Sequence, residues 1–100
     1  MAGVRILVQF TADTPEAAEE RVQTMLTRAR KTEAEEHGCM QYEVFRSAMR
    51  PTQFALLEHW ESPEALEEHR KVLAQGGGRA PATPSITNTF ELYDYKEGRF

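Results

Sequence analysis

The residues with the greatest chemical capacity lie between positions 42 and 69 of the sequence. His69 can serve as a base, because an imidazole titrates near neutral pH and a buried one can stay neutral. Trp60 can stack on a flat aromatic molecule and donate a hydrogen bond through its indole N–H. Tyr42 can hold a phenolic oxygen, and Arg46 can pair with an anion at the mouth of the same site. These residue types favour proton removal from an aromatic molecule in an apolar pocket.

Trp60 belongs to a segment, residues 54–60, that alternates like a strand with a period of two. The inward-facing set is Phe54, Leu56, Glu58 and Trp60. Because this face is otherwise apolar, a carboxylate at position 58 needs a partner there. We expect an ion pair between Glu58 and either Arg46 or Arg5.

His69 lies on a helix that follows this strand directly. Ser62 is a good N-cap residue and Pro63 suits the first helical position. The helical spacing then predicts a buried stripe of Ala65, Leu66, His69, Val72 and Leu73. A histidine in such a stripe is either a base or a core residue bonded to a backbone carbonyl, and both roles stay open.

The same succession of strand, cap and helix occurs earlier in the chain. Residues 4–10 alternate as a strand, and Thr14-Pro15 repeats the cap chemistry. A stripe spaced by three and four residues predicts a first helix over 15–36, which Gly38 ends. Residues 40–48 alternate again and form a hairpin with the strand that begins at Gln53.

Residues 86–96 supply a fourth strand, so the predicted element order is βαββαβ. With right-handed crossovers this order gives an α+β, ferredoxin-like domain, in which two helices cover one face of a four-stranded antiparallel sheet. Residues 75–85 contain three consecutive glycines and two prolines, which predicts a mobile loop. Whether that loop closes over a pocket stays open.

Composition excludes several classes of function. A formal charge of −4 argues against a nucleic-acid partner, which requires a basic face. No run of apolar residues reaches the ~20 needed to span a membrane, and the N-terminus lacks a signal-peptide pattern. The single cysteine, Cys39, fits a reducing cytoplasm and has no predicted activating base. No His, Asp or Glu spacing predicts a metal site.

The sheet face opposite the helices needs a cover. Strand parity assigns six apolar residues to that face: Leu7, Phe45, Ala55, Leu57, Phe90 and Leu92. So large an apolar patch is unusual on a monomer. We therefore expect a homodimer through the sheet face, forming a two-sheet α+β barrel with a pocket between sheet and helices in each protomer.

Two segments, HGCMQYEVFRS at 37–47 and FALLEHWESPEALEEH at 54–69, resemble the antibiotic biosynthesis monooxygenase domain. The similarity covers nearly the whole chain and implies one domain over residues 1–100 with the dimeric α+β barrel fold. It also implies activities of several kinds, since similar proteins include cofactor-independent quinol and anthrone oxygenases, heme-degrading enzymes and an isomerase.

The chain departs from these relatives at informative places. Leu56 stands where anthrone-oxidising members carry an asparagine, which removes a substrate oxyanion partner. Heme-degrading members carry a later histidine ligand, whereas no histidine follows His69 here, so heme degradation is disfavoured.

The resulting hypothesis is a monooxygenase that oxidises a quinol, anthrone or polyketide-like substrate with O₂ and no cofactor or metal. His69, Trp60 and Tyr42 would be catalytic, and the substrate-binding set would be Leu56, Glu58, Arg46, Phe54, Val22 and Leu66. The alternative is a barrel of the same fold that binds or isomerises a small molecule without oxygen. A third reading, a structural dimer with a filled core, would show no ligand-sized cavity.

Overall fold

The computed structural model describes residues 3–76, 85–96 and 98. Its elements follow the predicted βαββαβ order: β1 (Val4–Ala12), α1 (Pro15–Glu35), β2 (Cys39–Arg46), β3 (Gln53–Trp60), α2 (Pro63–Ala74) and β4 (Ile86–Asp94). The predicted loop over 75–85 lies mostly outside the described residues.

The four strands form one antiparallel sheet in the order β2-β3-β1-β4. This arrangement confirms the predicted ferredoxin-like α+β fold. β2 and β4 are the edge strands, so the two central strands carry the most buried side chains.

Both helices begin where the cap residues predict. The Thr14 hydroxyl accepts the Ala17 N–H at 3.1 Å, and the Ser62 hydroxyl accepts the Ala65 N–H at 3.1 Å. A proline follows each cap at the start of the helix, where its missing N–H costs nothing. The repeated cap signal in the sequence therefore identified both helix starts correctly.

Two clusters of buried side chains fill the space between the helices and the sheet. The α1 cluster joins that helix to β1 and β3 through Phe10, Ala12, Ala18, Val22, Met25, Phe54 and Leu56. The α2 cluster consists of Val4, Ile6, Trp60, Ala65 and Leu66. Since all the strand residues in both clusters are even-numbered, both helices cover the same face of the sheet.

The strand register corrects one prediction about the opposite face. Phe90 pairs with Val8 and Leu92 with Ile6, so both side chains lie on the helix-covered side of the sheet. They are 64% and 47% exposed because β4 is the edge strand beyond the helices. Alternation within one strand does not show which of its side chains face the helices, because that depends on the register with the neighbouring strand.

The outer face keeps its other predicted apolar residues. Leu7 lies opposite Leu57, and Phe45 lies opposite Ala55, all on the odd-numbered side. His59 also lies on this side, where its ring bonds the Tyr95 hydroxyl. Neither helix in the described part of the chain is long and apolar enough to cross a membrane.

Gly38 connects α1 to β2 in a conformation that favours glycine. Its φ is +83°, and a Cβ at this position would lie 2.6 Å from the Cβ of Ala65 on α2. Both the left-handed backbone and the close approach of α2 therefore exclude a side chain. The turn brings the end of α1 against the start of α2.

We expect Gly38→Ala to lower the free energy of unfolding by about 2 kcal/mol, through backbone strain and the clash with Ala65. Gly76→Ala is the matched control, because Gly76 has a φ of +82° but no atom within 4 Å of the added Cβ. That variant should lose about 1 kcal/mol. Equal losses in urea unfolding of the two variants would show that the approach of α2 contributes nothing.

Candidate functional site

The residues predicted to be catalytic come together beneath the gap between α1 and α2. The centroid of the His69 ring lies 4.6 Å from that of Trp60 and 5.4 Å from that of Tyr42. The Tyr42 and Trp60 rings meet edge to face at 6.3 Å. One residue each from β2, β3 and α2 thus forms a compact aromatic cluster.

Trp60 is the most deeply buried residue of the cluster, with no exposed surface. Its indole N–H donates to Oε1 of Glu58 at 2.9 Å. The predicted ion pair of Glu58 with Arg46 or Arg5 is therefore wrong, since Arg46 pairs with Glu19 and Arg5 donates to Gln41. The indole N–H and the carboxylate lie two residues apart on one strand face, so they satisfy each other locally.

Glu58 is a buried acid in this structure. Burial raises the pKa of its carboxyl above the ordinary value, although the hydrogen bond from Trp60 and the nearby His69 side chain act in the opposite direction. The hydrogen bond from the indole N–H thus offsets part of the free-energy cost of burying this carboxyl group.

His69 is 3% exposed and bonds a residue that the sequence reasoning missed. Its Nδ1 lies 2.7 Å from Oε1 of Glu36, the residue that follows α1. The core alternative for His69, a bond to a backbone carbonyl, does not describe this contact. Glu36 continues the buried stripe of α1, four residues after Thr32, so an extended helical spacing could have revealed it.

Tyr42, on β2, lies near the carboxylates of Glu58 and Glu36. Burial, together with the charges of Glu58 and Glu36, raises the pKa of its phenol, so the group is a protonated hydrogen-bond donor at neutral pH. The backbone N–H of Tyr42 donates to the carboxylate of Glu33 on α1 at 3.0 Å. That bond ties the edge strand to the helix at the level of the site.

Cys39 lies beside this cluster and opposite Trp60 in the sheet register. Burial, followed by the charges of Glu33 and Glu36, raises the pKa of its thiol to about 11. The thiol is therefore protonated at neutral pH and a poor nucleophile. Among the described residues, no group of three or more His, Cys, Asp or Glu side chains is arranged to hold a metal ion.

Two clefts open on either side of Glu36 and Val72, between the C-terminal half of α1 and α2. One, of about 480 Å³, is lined by His69, Ala65 and Glu36 with the acidic residues Glu61, Glu64 and Glu68 on its rim. The other, of about 370 Å³, is lined by Tyr42, Thr32 and Leu73 with Arg28 and Lys31. Both volumes suit a small molecule.

These clefts differ from the pocket expected between sheet and helices, because the two core clusters fill that space. Val22, Leu56 and Phe54 lie in the α1 cluster, whereas Leu66 packs beside Trp60 in the α2 cluster. Arg46 lies four residues along β2 from Tyr42, where it and Phe54 border a separate cleft of about 380 Å³. The predicted binding residues therefore divide between two parts of the molecule.

Fold and site together define an α+β protein with an aromatic and histidine cluster below an interhelical cleft. Residues 4–74 match the family model for antibiotic biosynthesis monooxygenases. The chain therefore belongs to that family, as the sequence resemblance predicted. None of the curated protein sequences compared with this chain is a significant match.

Several solved structures share the fold. A protein of unknown function from Bacteroides thetaiotaomicron VPI-5482, with a suggested oxidoreductase activity, superposes with a TM-score of 0.75 at 19% identity, over 94% of this chain and 98% of the other. A candidate antibiotic biosynthesis monooxygenase from Caulobacter crescentus CB15 gives 0.66 at 27% identity, over 96% and 92%. SnoaB, a cofactor-independent oxygenase from Streptomyces nogalater, gives 0.68 at 13% identity, over 98% and 97%.

Proposed function

We propose that this protein is a cofactor-independent monooxygenase that oxidises an electron-rich aromatic substrate, a quinol, an anthrone or a polyketide-like compound, with O₂. The observation that carries the proposal is the His69 imidazole, which is bonded to a carboxylate, packed between two aromatic rings and adjacent to a cleft of about 480 Å³. This arrangement supplies a base and an environment largely shielded from water.

The chemistry needs little more from the protein than proton removal and shielding. His69 takes a proton from the substrate, and the resulting carbanion or phenolate gives one electron to O₂. The substrate radical and superoxide combine as a peroxide anion, which takes the proton back from His69 to become a hydroperoxide. Loss of the remaining hydrogen of the same carbon and of the distal oxygen, together as water, leaves the new carbonyl group. One oxygen atom of O₂ enters the product and the other leaves as water, so the substrate itself supplies all the electrons.

Each cluster residue has a role in this proposal. For the protonated Tyr42 phenol, which lines the second cleft, to donate a hydrogen bond to a substrate oxygen, the substrate must extend from the first cleft past Glu36 and Val72. Trp60 supports the imidazole with its ring, because its N–H is engaged with Glu58. Val22, Leu56 and Phe54 act through the stability of the fold, because they pack in the α1 cluster.

Oxygen uptake by chelator-treated, flavin-free protein tests the proposal. A reduced naphthoquinol and an anthrone serve as substrates, with the rate of autoxidation subtracted. Protein-dependent consumption of one O₂ per substrate is the expected result, with anthraquinone formed from the anthrone and a hydroxynaphthoquinone formed from the naphthoquinol, each carrying one oxygen atom from O₂. The proposal fails if neither substrate nor a panel of related phenols consumes oxygen faster than in the protein-free control.

The non-oxidative alternative rests on the lining of the larger cleft. Glu61, Glu64 and Glu68 give it an acidic rim, which suits a polar, neutral or cationic molecule better than a flat hydrocarbon. The histidine and carboxylate pair can also move a proton between two carbon atoms without O₂. A small molecule that raises the melting temperature and is isomerised without oxygen uptake would favour this alternative.

We also propose that the protein is a homodimer through the outer sheet face. Leu7, Leu57, Ala55 and Phe45 share this face, and Phe45 remains 44% exposed. Burying these side chains against a second copy would remove apolar surface from water. A face-to-face pairing of two sheets would complete the predicted barrel and leave both interhelical clefts open.

Leu57→Lys is expected to convert the dimer into a monomer, because a charge would be buried at the centre of the sheet face. Sedimentation equilibrium measures the change. Thr27→Lys, at an exposed position of α1, is the matched control and should leave the assembly unchanged. A monomeric wild-type protein, or a Leu57→Lys protein that stays dimeric, would contradict this interface.

The proposed location is the cytoplasm. A protonated, half-buried Cys39 and the lack of a second cysteine in the sequence fit a reducing compartment, where no disulfide is needed for stability.

A further inference from the structure

Glu36 occupies an unusual place for an acidic residue. It follows the last residue of α1, and its backbone N–H still donates to Thr32 of that helix at 3.0 Å. Its side chain is only 18% exposed and turns toward α2. The neighbouring acid Glu33 has another partner, since its carboxylate accepts the backbone N–H of Tyr42.

The contact with His69 bears on the tautomer of the imidazole. In the 2.7 Å contact the carboxylate oxygen of Glu36 accepts a hydrogen bond when the proton of the neutral ring lies on Nδ1. The neutral ring then carries its lone pair on Nε2, the nitrogen that can take a proton from a substrate. When Nε2 gains that proton, the carboxylate stabilises the resulting imidazolium.

The surroundings leave the ring little freedom to turn. Trp60 packs against it with an angle of 32° between the ring planes, and Tyr42 meets it at 62°. Glu58, the other buried carboxylate near the ring, is bonded to Trp60. Glu36 is therefore the group that selects the tautomer, whereas the two aromatic residues select the orientation.

We infer that Glu36 is the positioning residue for His69, holding its imidazole as the Nδ1–H tautomer with Nε2 free to act as the base. This inference rests on the proposed function for its kinetic consequence, although the tautomer itself is independent of any activity. The proton follows a closed path: it leaves the substrate, resides on Nε2, and passes to the peroxide anion, whose distal oxygen then departs as water with the remaining hydrogen of the oxidised carbon. The proton on Nδ1 remains there throughout.

Glu36→Gln and Glu36→Ala test this role. The amide oxygen of glutamine can still accept the Nδ1–H, but it carries no charge to stabilise the imidazolium. We expect kcat to fall about 10- to 100-fold in Glu36→Gln and further in Glu36→Ala, with KM nearly unchanged. Glu67→Gln, an exposed position on α2 with the same loss of charge, is the matched control and should keep full activity.

Nitrogen-15 NMR of the histidine rings reports the tautomer directly. A purely structural role of Glu36 would leave this measurement unchanged. The neutral His69 ring should be the Nδ1–H tautomer in the wild type and in Glu36→Gln, and should shift toward Nε2–H in Glu36→Ala. Melting curves establish that each variant is folded. An Nε2–H tautomer in the folded wild-type protein overturns the inference.

The kinetic and spectroscopic results separate this inference from the proposed function. Full oxygenase activity in Glu36→Gln and Glu36→Ala would overturn the inference and leave the oxygenase proposal standing. An absence of oxygenase activity from the wild type, together with the expected tautomer shift, would overturn the proposed function while supporting the Glu36–His69 pairing.

Discussion

His69→Ala is expected to lower kcat for oxygen uptake by about 10²- to 10⁴-fold, the contribution typical of a positioned general base. The imidazole is the group of the described aromatic cluster left to act as the base, since the Tyr42 phenol is protonated and Glu58 is engaged with Trp60. Steady-state rates from an oxygen electrode, with either the quinol or the anthrone, measure the effect. His69→Ala also removes the hydrogen-bond partner of Glu36. A second variant of His69 that keeps this hydrogen bond is therefore needed as a control for folding.

His69→Gln provides that control for folding, because its amide can still donate to Glu36 but has no basic nitrogen. It should melt close to the wild type and remain as inactive as His69→Ala. Glu67→Gln, at an exposed position on α2, should retain normal activity. If His69→Gln kept the wild-type rate, the imidazole would not be the base.

Trp60→Phe is expected to lower the free energy of unfolding by about 2–4 kcal/mol. The substitution leaves a cavity at a fully buried position and removes the donor to Glu58. A buried carboxyl without a partner is costly, and this second effect distinguishes Trp60 from an ordinary core residue. Urea unfolding should show a lower midpoint with an unchanged slope.

A double-mutant cycle with Glu58→Leu isolates the hydrogen bond. In that background the carboxyl is absent, so Trp60→Phe should cost about 1–2 kcal/mol less than in the wild type. The same loss in both backgrounds would mean that the indole N–H contributes no net stability through Glu58. It would then be free for the role in substrate binding that the sequence alone suggested.

Local chemistry explains why the fold was predictable from the sequence. Thr14-Pro15 and Ser62-Pro63 start helices through short-range hydrogen bonds, and Gly38 allows the turn that follows the first helix through its own backbone freedom. These signals act within a few residues, as does the alternation that defines each strand. They therefore determine the element order whatever the tertiary context.

The site was only partly predictable. The helical and strand periods correctly turned Trp60 and His69 inward, and the chemistry of a phenol added Tyr42 to them. The hydrogen-bond partners were not predictable, because they depend on which side chains meet across elements. The sequence predicted an arginine partner for Glu58, whereas the structure shows that the indole N–H of Trp60, two residues away, donates to its carboxylate.

The sequence by itself determined the βαββαβ order, the helix caps and the inward faces of β3 and α2, because all of these follow from local periodicity and turn chemistry. Only the tertiary structure decided that Phe90 and Leu92 share a face with Ile6, that the clefts lie between the helices, and that Glu36 bonds His69. Each of these depends on strand register or on the packing of two distant helices. Such long-range contacts are set by the fit of the whole core, which no short segment encodes.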